Sequence, residues 1–574
     1  MDAPIPVRQT DKMKELQERL VSIAIETRAR RIPVEREWLL VHAAWMARPV
    51  RQQFHSDMFS YYIPQLRRSI ERSTTRIKKI LTPDPLFEVR PGSETDVQNS
   101  LQADAVRAYM YYLNRKRINM KRNITQLARN LLMYTMAVLK TTVEVYDVDG
   151  TKEIWPRTRV VDPFQFYIYP ETAIDPEDRL IVFEDHMMSW QDYEAKAAEG
   201  LVTELKRGEL VKPEWPTHHV ERLSHQGLSS PSDVRTKLPE DFVSMTEIWF
   251  KASNKWLQCW IVWNHMFGPQ MVMGPRPSVY GGYPYRDAFA RPIFGQTYTH
   301  SMGHDTEPLQ VWLNDTINQM EEARVISSLP PMGVDKSMVG RKDSLVYRPR
   351  AVWDVEQGAI SPVPIPDTST GSLRVFQTAM SLLNSVSGGN PLQEGQTVRN
   401  MPRAASGVNN LLSMTMADIE DVADIIETEC LEPTVADQYR ITKQFVPMSQ
   451  VIKIPGTRDF PPQQLSSQDL AGDYVFYWNG SIASQNGPQR AQGLMQMATL
   501  LMQAAPIMQQ QGYKINWADM GRMIWREGLG ERGLNDIIQP MSEQEKMQVM
   551  MQMAQQQQMM QAQNQQRSTM QGGG

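Results

Sequence analysis

Apolar residues recur at helical spacing along the first part of the chain. Met13, Leu16, Leu20 and Ile23 form one stripe after Asp11, and Trp38, Val41 and Trp45 form another after Pro33. Leu66, Ile70 and Ile77 mark a further helix, which Thr82-Pro83 ends. Pro85 to Pro91 predicts a short extended piece, because a residue before proline is pushed out of the helical region. Helices are expected next near 96–115 and 121–138. The period then shortens. Thr142 to Tyr146 is rich in β-branched residues and leads to Asp149-Gly150, a strong hairpin turn. Val160 to Tyr169 predicts a strand interrupted at Pro163, and Thr246–Lys251 with Trp256–Trp263 predicts a hairpin. Residues 1–300 therefore read as α+β, with the polar stretch 205–240 as a surface excursion.

Residues 307–328 are an amphipathic helix. Leu309, Trp312, Leu313, Ile317, Met320 and Ala323 share one face, and Asp315, Asn318 and Glu322 lie on another. Leu329-Pro330-Pro331 stops it. A proline-rich, β-prone module follows to Thr370, then a helix over 372–387 and a loop through Gly388-Gly389-Asn390-Pro391 to Pro402. Residues 404–445 carry a long helical repeat with Pro433 inside it, which predicts a kink. Strands are expected at Val451–Ile454 and Tyr474–Trp478, and helices after Gly487-Pro488 and near Asn516. From Glu543 to Gln566 the chain is mostly Gln and Met, with no clean heptad.

Composition narrows the class. The 574 residues exceed one ordinary core, and 41% hydrophobic with 22% charged is usual for a folded protein. A net charge of −4 argues against tight gripping of nucleic acid but not against letting it slide past. The two cysteines, Cys259 and Cys430, are expected as buried free thiols. No stretch approaches a membrane span, and no signal peptide is evident at the N-terminus.

Local motifs give little chemistry. Gly528 to Gly533 fits G-x-G-x-x-G, but a helix rather than a strand precedes it, so a helix end and turn explain the glycines better. His300 and His304 have metal-like spacing without the glutamate of a zincin, and His218-His219 carries no partner signal. No P-loop, nucleophile elbow or Cys-His pairing occurs. The chain is expected to have no enzymatic activity, no cofactor and no metal. The rival readings are a nucleotide-binding enzyme built on Gly528–Gly533 and another ring-forming head-tail adaptor.

Over roughly residues 40–525 the order of elements resembles the portal proteins of tailed bacteriophages. Four features carry the resemblance: Leu81 to Pro91, Val160 to Pro170, the helix 307–328 with its β-rich module and helix 372–387, and Asn479-Gly480-Ser481 before a helix over 488–504. Many relatives have glycines where this chain reads Tyr134-Thr135-Met136-Ala137-Val138. The resemblance implies a mainly helical α+β subunit with small β-rich modules. Its parts would be a wing (1–300), first stem helix (301–328), clip (329–371), second stem helix (372–387) and tunnel loop (388–403). A long kinked helix with remaining wing strands (404–478), a helical crown (479–540) and a Gln/Met-rich tail (541–574), either a barrel helix or disordered, would follow. It also implies a dodecameric ring at one capsid vertex of the virion, assembled in the host cytoplasm. Double-stranded DNA would pass through it without sequence reading, during packaging and ejection. Partners would be terminase, major capsid and scaffolding proteins, and then tail adaptors, with no membrane. Asp315, Asn318 and Glu322 would line the channel, unless that face meets solvent or a neighbouring subunit. Gln396, Arg399, Asn400 and Arg403 would touch DNA from the tunnel loop, unless 388–403 is an ordinary interhelical loop.

Overall fold

The computed structural model describes residues 11–48, 60–83, 86–92, 97–148, 151–213, 215–227, 242–328, 332–335, 360–363, 369–388, 418–446, 452–454, 463–465 and 472–480, with isolated positions besides. The chain divides into two units. One comprises Met1–Ile454 with Gln464–Ser481, and the other comprises Pro455–Gln463 with Ile482–Gly574. The described elements lie almost wholly in the first. Gln396, Arg399, Asn400 and Arg403 of the expected tunnel loop, the glycines at 528–533 and the Gln/Met tail lie outside the described residues.

Helix α1 (Asp11–Trp45) runs through Pro33 as one rod, where the sequence pattern suggested two helices. Its buried face continues across the proline: Arg31 on one side and Trp38 and Leu39 on the other. Arg31 donates to the carbonyl of Phe164 at 2.6 Å and to that of Phe166, pairs with Glu35, and lies 3.5 Å from the centre of the Tyr167 ring. These anchors outweigh the one helical hydrogen bond that proline forfeits. Trp38 is fully buried against Tyr134, Phe164 and Tyr298.

Helices α2 (Gln65–Leu81), α3 (Val97–Tyr112) and α4 (Met120–Tyr134) follow, with strand β1 (Phe87–Pro91) between the first two. Helix α4 ends earlier than its apolar pattern implies. Thr135 adopts φ 66°, and the chain continues as strand β2 (Met136–Val148). That left-handed position suits glycine better than threonine.

Strand β2 is central in a three-stranded antiparallel sheet with β3 (Thr151–Val161) and β9 (Tyr285–Phe289). A five-stranded meander joins β4 (Phe166–Tyr169), β5 (Ile181–Ser189), β6 (Phe242–Ala252), β7 (Lys255–Val262) and β8 (Gln270–Pro277) in that order. Alternation places Phe183, Ile248 and Ile261 toward Leu20 and Ala24 of α1. The opposite face holds Val243, Met245 and Val262 against Trp190 and Tyr193 of helix α5 (Trp190–Ala198).

The stretch 205–240 is more than a surface excursion. Within it, helix α6 (Thr217–His225) packs on α1 and buries His218, Val220 and His225. His218 stacks on Phe164 and lies 3.8 Å from Glu35. Cys259 and Cys430 are buried and free, as expected.

Helices α7 (Met302–Ser328) and α8 (Ser369–Val386) come next, separated by the antiparallel pair β10 (Met332–Val334) and β11 (Ile360–Pro362). The long helical stretch is described from 418. A π-helical turn at Ile426–Leu431 sits where Pro433 predicted a kink, and α9 (Glu432–Phe445) carries on. Strands β12 (Ile452–Ile454) and β13 (Gln463–Leu465) are short, whereas β14 (Tyr474–Trp478) pairs along its full length with β1. Trp478 closes the circuit: its ring N–H donates to the Leu81 carbonyl at 3.0 Å, and its backbone N–H to Glu432 at 2.9 Å. No described helix is long and apolar enough to cross a membrane.

Candidate functional site

The α7–α8 pair is the part of the fold that the sequence singled out. Ser301 starts α7. Its hydroxyl donates to the Met133 carbonyl at 3.0 Å and accepts the backbone N–H of His304 at 3.3 Å. His304 Nδ1 lies 2.8 Å from the same hydroxyl, and burial lowers the imidazole pKa to about 4. His300 meets His304 edge to face, so the two histidines form a helix start. Gly303 then lets α7 touch its neighbours. A Cβ there would come within 2.5 Å of Val41 and 3.2 Å of the Leu132 carbonyl.

One polar stripe of α7 is a ladder. Gln310, Asn314 and Asn318 recur every four residues and face the extended chain before α2. Gln310 accepts from the Leu66 N–H at 2.8 Å and donates to the Ile63 carbonyl at 2.6 Å. Asn314 accepts from the Ile63 N–H at 3.1 Å. Asn318 accepts from the Tyr61 N–H at 2.8 Å and donates to the Tyr61 carbonyl at 3.2 Å. Side-chain amides thus do for this segment what a neighbouring strand would do.

The structure therefore places Asp315 and Asn318 in buried positions of the isolated subunit, and Glu322 in a half-buried one. Asn318→Ala is expected to cost about 1–2 kcal/mol, since it strands a backbone donor and acceptor. Amide exchange at Tyr61 reads this directly. Unchanged exchange would mean that the ladder does not hold the segment.

Helix α8 is anchored on a narrow stripe. Ala379 and Leu383 are fully buried, and Asn384 accepts from the Gln65 side chain at 3.0 Å. Val375, Leu382 and Val386 share an adjoining stripe and are 41%, 43% and 43% exposed. Trp312 of α7 is also exposed. Apolar positions on both sides of a helix indicate that something covers each side.

A cluster of buried charges lies elsewhere, between the two sheets. Lys140 of β2 donates to Glu184 of β5 at 2.8 Å and to Glu247 of β6 at 2.6 Å. Tyr285 donates to Glu184 at 2.9 Å, and Arg159 at 2.6 Å. His186 Nε2 lies 3.3 Å and 3.4 Å from the two carboxylates. Glu184, His186 and Glu247 are the one group among the described residues with metal-ligand spacing. The Lys140 ammonium already occupies the cation position between them, so the donor set does not fit a metal. Burial alone would raise both carboxyl pKa values, but Lys140 overcomes it, holding Glu184 well below the usual range and Glu247 at about 2. Burial likewise opposes charge on His186, and the two carboxylates reverse that and raise its pKa. None of this is visible in the sequence, because the residues come from five strands spread from β2 to β9.

The family model for the phage SU10 portal protein matches residues 142–568, about three quarters of the chain. No curated protein matches the chain.

Proposed function

The chain belongs to the phage SU10 portal protein family, a family of tailed-phage portals, and on that premise we propose that it forms a dodecameric ring at one capsid vertex through which double-stranded DNA is packaged and later ejected. The observation that carries this reading is the α7–β10/β11–α8 hairpin. The antiparallel β10–β11 pair holds together the end of α7 and the start of α8, so the helices run back against each other. From Gln310 to Ser328, α7 rises about 27 Å at 1.5 Å per residue. A pair of that length, with apolar residues left over on α8, suits the wall of a channel built from repeated copies.

In this reading α7 and α8 are the two stem helices, 329–371 is the clip, 388–403 the tunnel loop, 479–540 the crown, and 541–574 a barrel or tail inside the capsid. Neighbouring copies cover Val375, Leu382 and Val386. The channel lining falls to polar positions of α7 that the subunit does not itself consume, of which Glu322 is the candidate; negative charge there repels phosphate and lets DNA slide. Gln396, Arg399, Asn400 and Arg403 contact the DNA backbone from the loop. The role is structural, ATP hydrolysis resting with terminase. Terminase and then tail adaptors dock on the clip, while capsid and scaffolding proteins surround the wing.

Deleting residues 331–370 tests the assignment. The expected variant folds and forms rings but captures neither terminase nor tail in pull-down. Normal DNA packaging by that deletion would overturn the clip assignment.

A further inference from the structure

The stretch from Arg115 to Arg122 holds five cations, Arg115, Lys116, Arg117, Lys121 and Arg122, and no carboxylate, in a chain whose net charge is −4. Such crowding repels itself, so it calls for a counter-charge. The fold concentrates it further. A π-helical turn at Leu113–Arg117 leads to Asn119 in a left-handed conformation, and α4 starts from there.

Two adjoining hollows open at this point, one of about 540 Å³ and one of about 380 Å³, sharing Asn119, Arg122 and Gln126. Arg117, Arg122, Arg157 and Arg159 line the first, and Lys78, Lys121, Arg122 and Arg129 the second. The one carboxylate in either lining is Glu144, and Arg157 pairs with it at 2.5 Å. Glu184, Glu71 and Glu153 match Arg159, Arg129 and Arg117. Lys78, Lys121 and Arg122 have no carboxylate partner among the described residues, and Lys121 and Arg122 are exposed.

Position supplies the identity of the counter-charge. Helix α2 starts beside α8, where Gln65 bonds Asn384, and ends beside β14, where the Leu81 carbonyl accepts from Trp478. Lys78 is in its last turn, so the trough lies at the end of α2 away from α8 and toward β14. We propose that this trough binds the phosphate backbone of duplex DNA packaged inside the capsid. The inference rests on the portal reading, in which the end of the subunit away from the stem faces the capsid interior. Guanidinium and ammonium groups beside the side-chain amides of Asn119 and Gln126 grip phosphates and do not read bases.

The test uses the full chain, a short fluorescent DNA duplex and anisotropy over a range of salt concentrations. Lys121→Glu with Arg122→Glu is expected to weaken binding by roughly tenfold or more and to reduce the salt slope by about 2. Lys14→Glu with Arg19→Glu, the same charge change at exposed positions of α1, is the control and is expected to leave binding nearly intact. Equal losses in both variants, or none in the first, would overturn the proposal. So would a polyglutamate peptide that displaces DNA at matched charge, since the trough would then fit an acidic protein segment. Particle images of the same samples separate the two failures. Rings with unchanged affinity in the trough variant sink the trough alone, whereas wild-type protein without rings sinks the portal reading.

Discussion

Carboxylates placed on the exposed stripe of α8, as Leu382→Glu with Val386→Glu, are expected to leave folded subunits that no longer close into rings. Both side chains are 43% exposed, so the subunit core does not depend on them. Ala379 and Leu383 keep α8 on its own protein. In a ring the stripe would meet the next copy at every interface. An unpaired carboxylate buried there costs about 3–5 kcal/mol, and the loss recurs at each contact. Sedimentation velocity reads the outcome, with circular dichroism confirming that helix content is kept. Rings of normal size from this variant would mean that another face joins the subunits.

Lys140→Met is expected to destabilise the two-sheet core by about 3–5 kcal/mol, because it leaves Glu184 and Glu247 buried without their shared ammonium. Arg159, Tyr285 and His186 stay in place and offset part of the loss. The pH dependence gives the stronger signature. In the wild type Glu247 has a folded pKa of about 2, below the unfolded value near 4.3. Its contribution is therefore present above about pH 4.3 and is lost as pH falls toward 2. Without Lys140, burial dominates and the folded carboxyl pKa values rise above the unfolded one. The folded state then holds more protons, so the variant gains stability from its carboxyls as pH falls from 8 to 5, while the wild type gains none from Glu184 and Glu247 and only the share of His186, whose pKa is raised. Urea midpoints at those two pH values decide it. Glu247→Gln added to Lys140→Met is expected to recover part of the loss. Parallel pH profiles for variant and wild type would show that Lys140 does not hold these charges.

The elements most legible in the sequence are those whose signals are local. The periodicity of Leu66, Ile70 and Ile77 with Thr82-Pro83 gives α2 to within a residue, and the β-prone run before Asp149-Gly150 gives the β2–β3 hairpin. Boundaries set by backbone geometry were less legible. Thr135 ends α4 in a left-handed conformation that threonine does not advertise, so the apolar run to Val138 looked helical. Pro33 misled in the opposite direction, because the buried anchor at Arg31 that carries α1 through it depends on carbonyls more than a hundred residues away.

The candidate site divides along the same line. The polar face of α7 was legible as a face, but not the use of Asn318, since its partner is the backbone of Tyr61. A contact made to main chain leaves no trace in the partner's side chain. The cationic run at 115–122 was present in the sequence, and only the fold adds Arg157, Arg159 and Lys78 to it.

In the proposed portal, copies of this chain assemble around a channel wide enough for duplex DNA. Electron microscopy of the purified full-length protein, with two-dimensional class averages, tests it most directly. The expected result is twelvefold rings with an open axial hole and density for paired helices along its wall. Compact monomers or dimers, at concentrations where portals assemble, would contradict it.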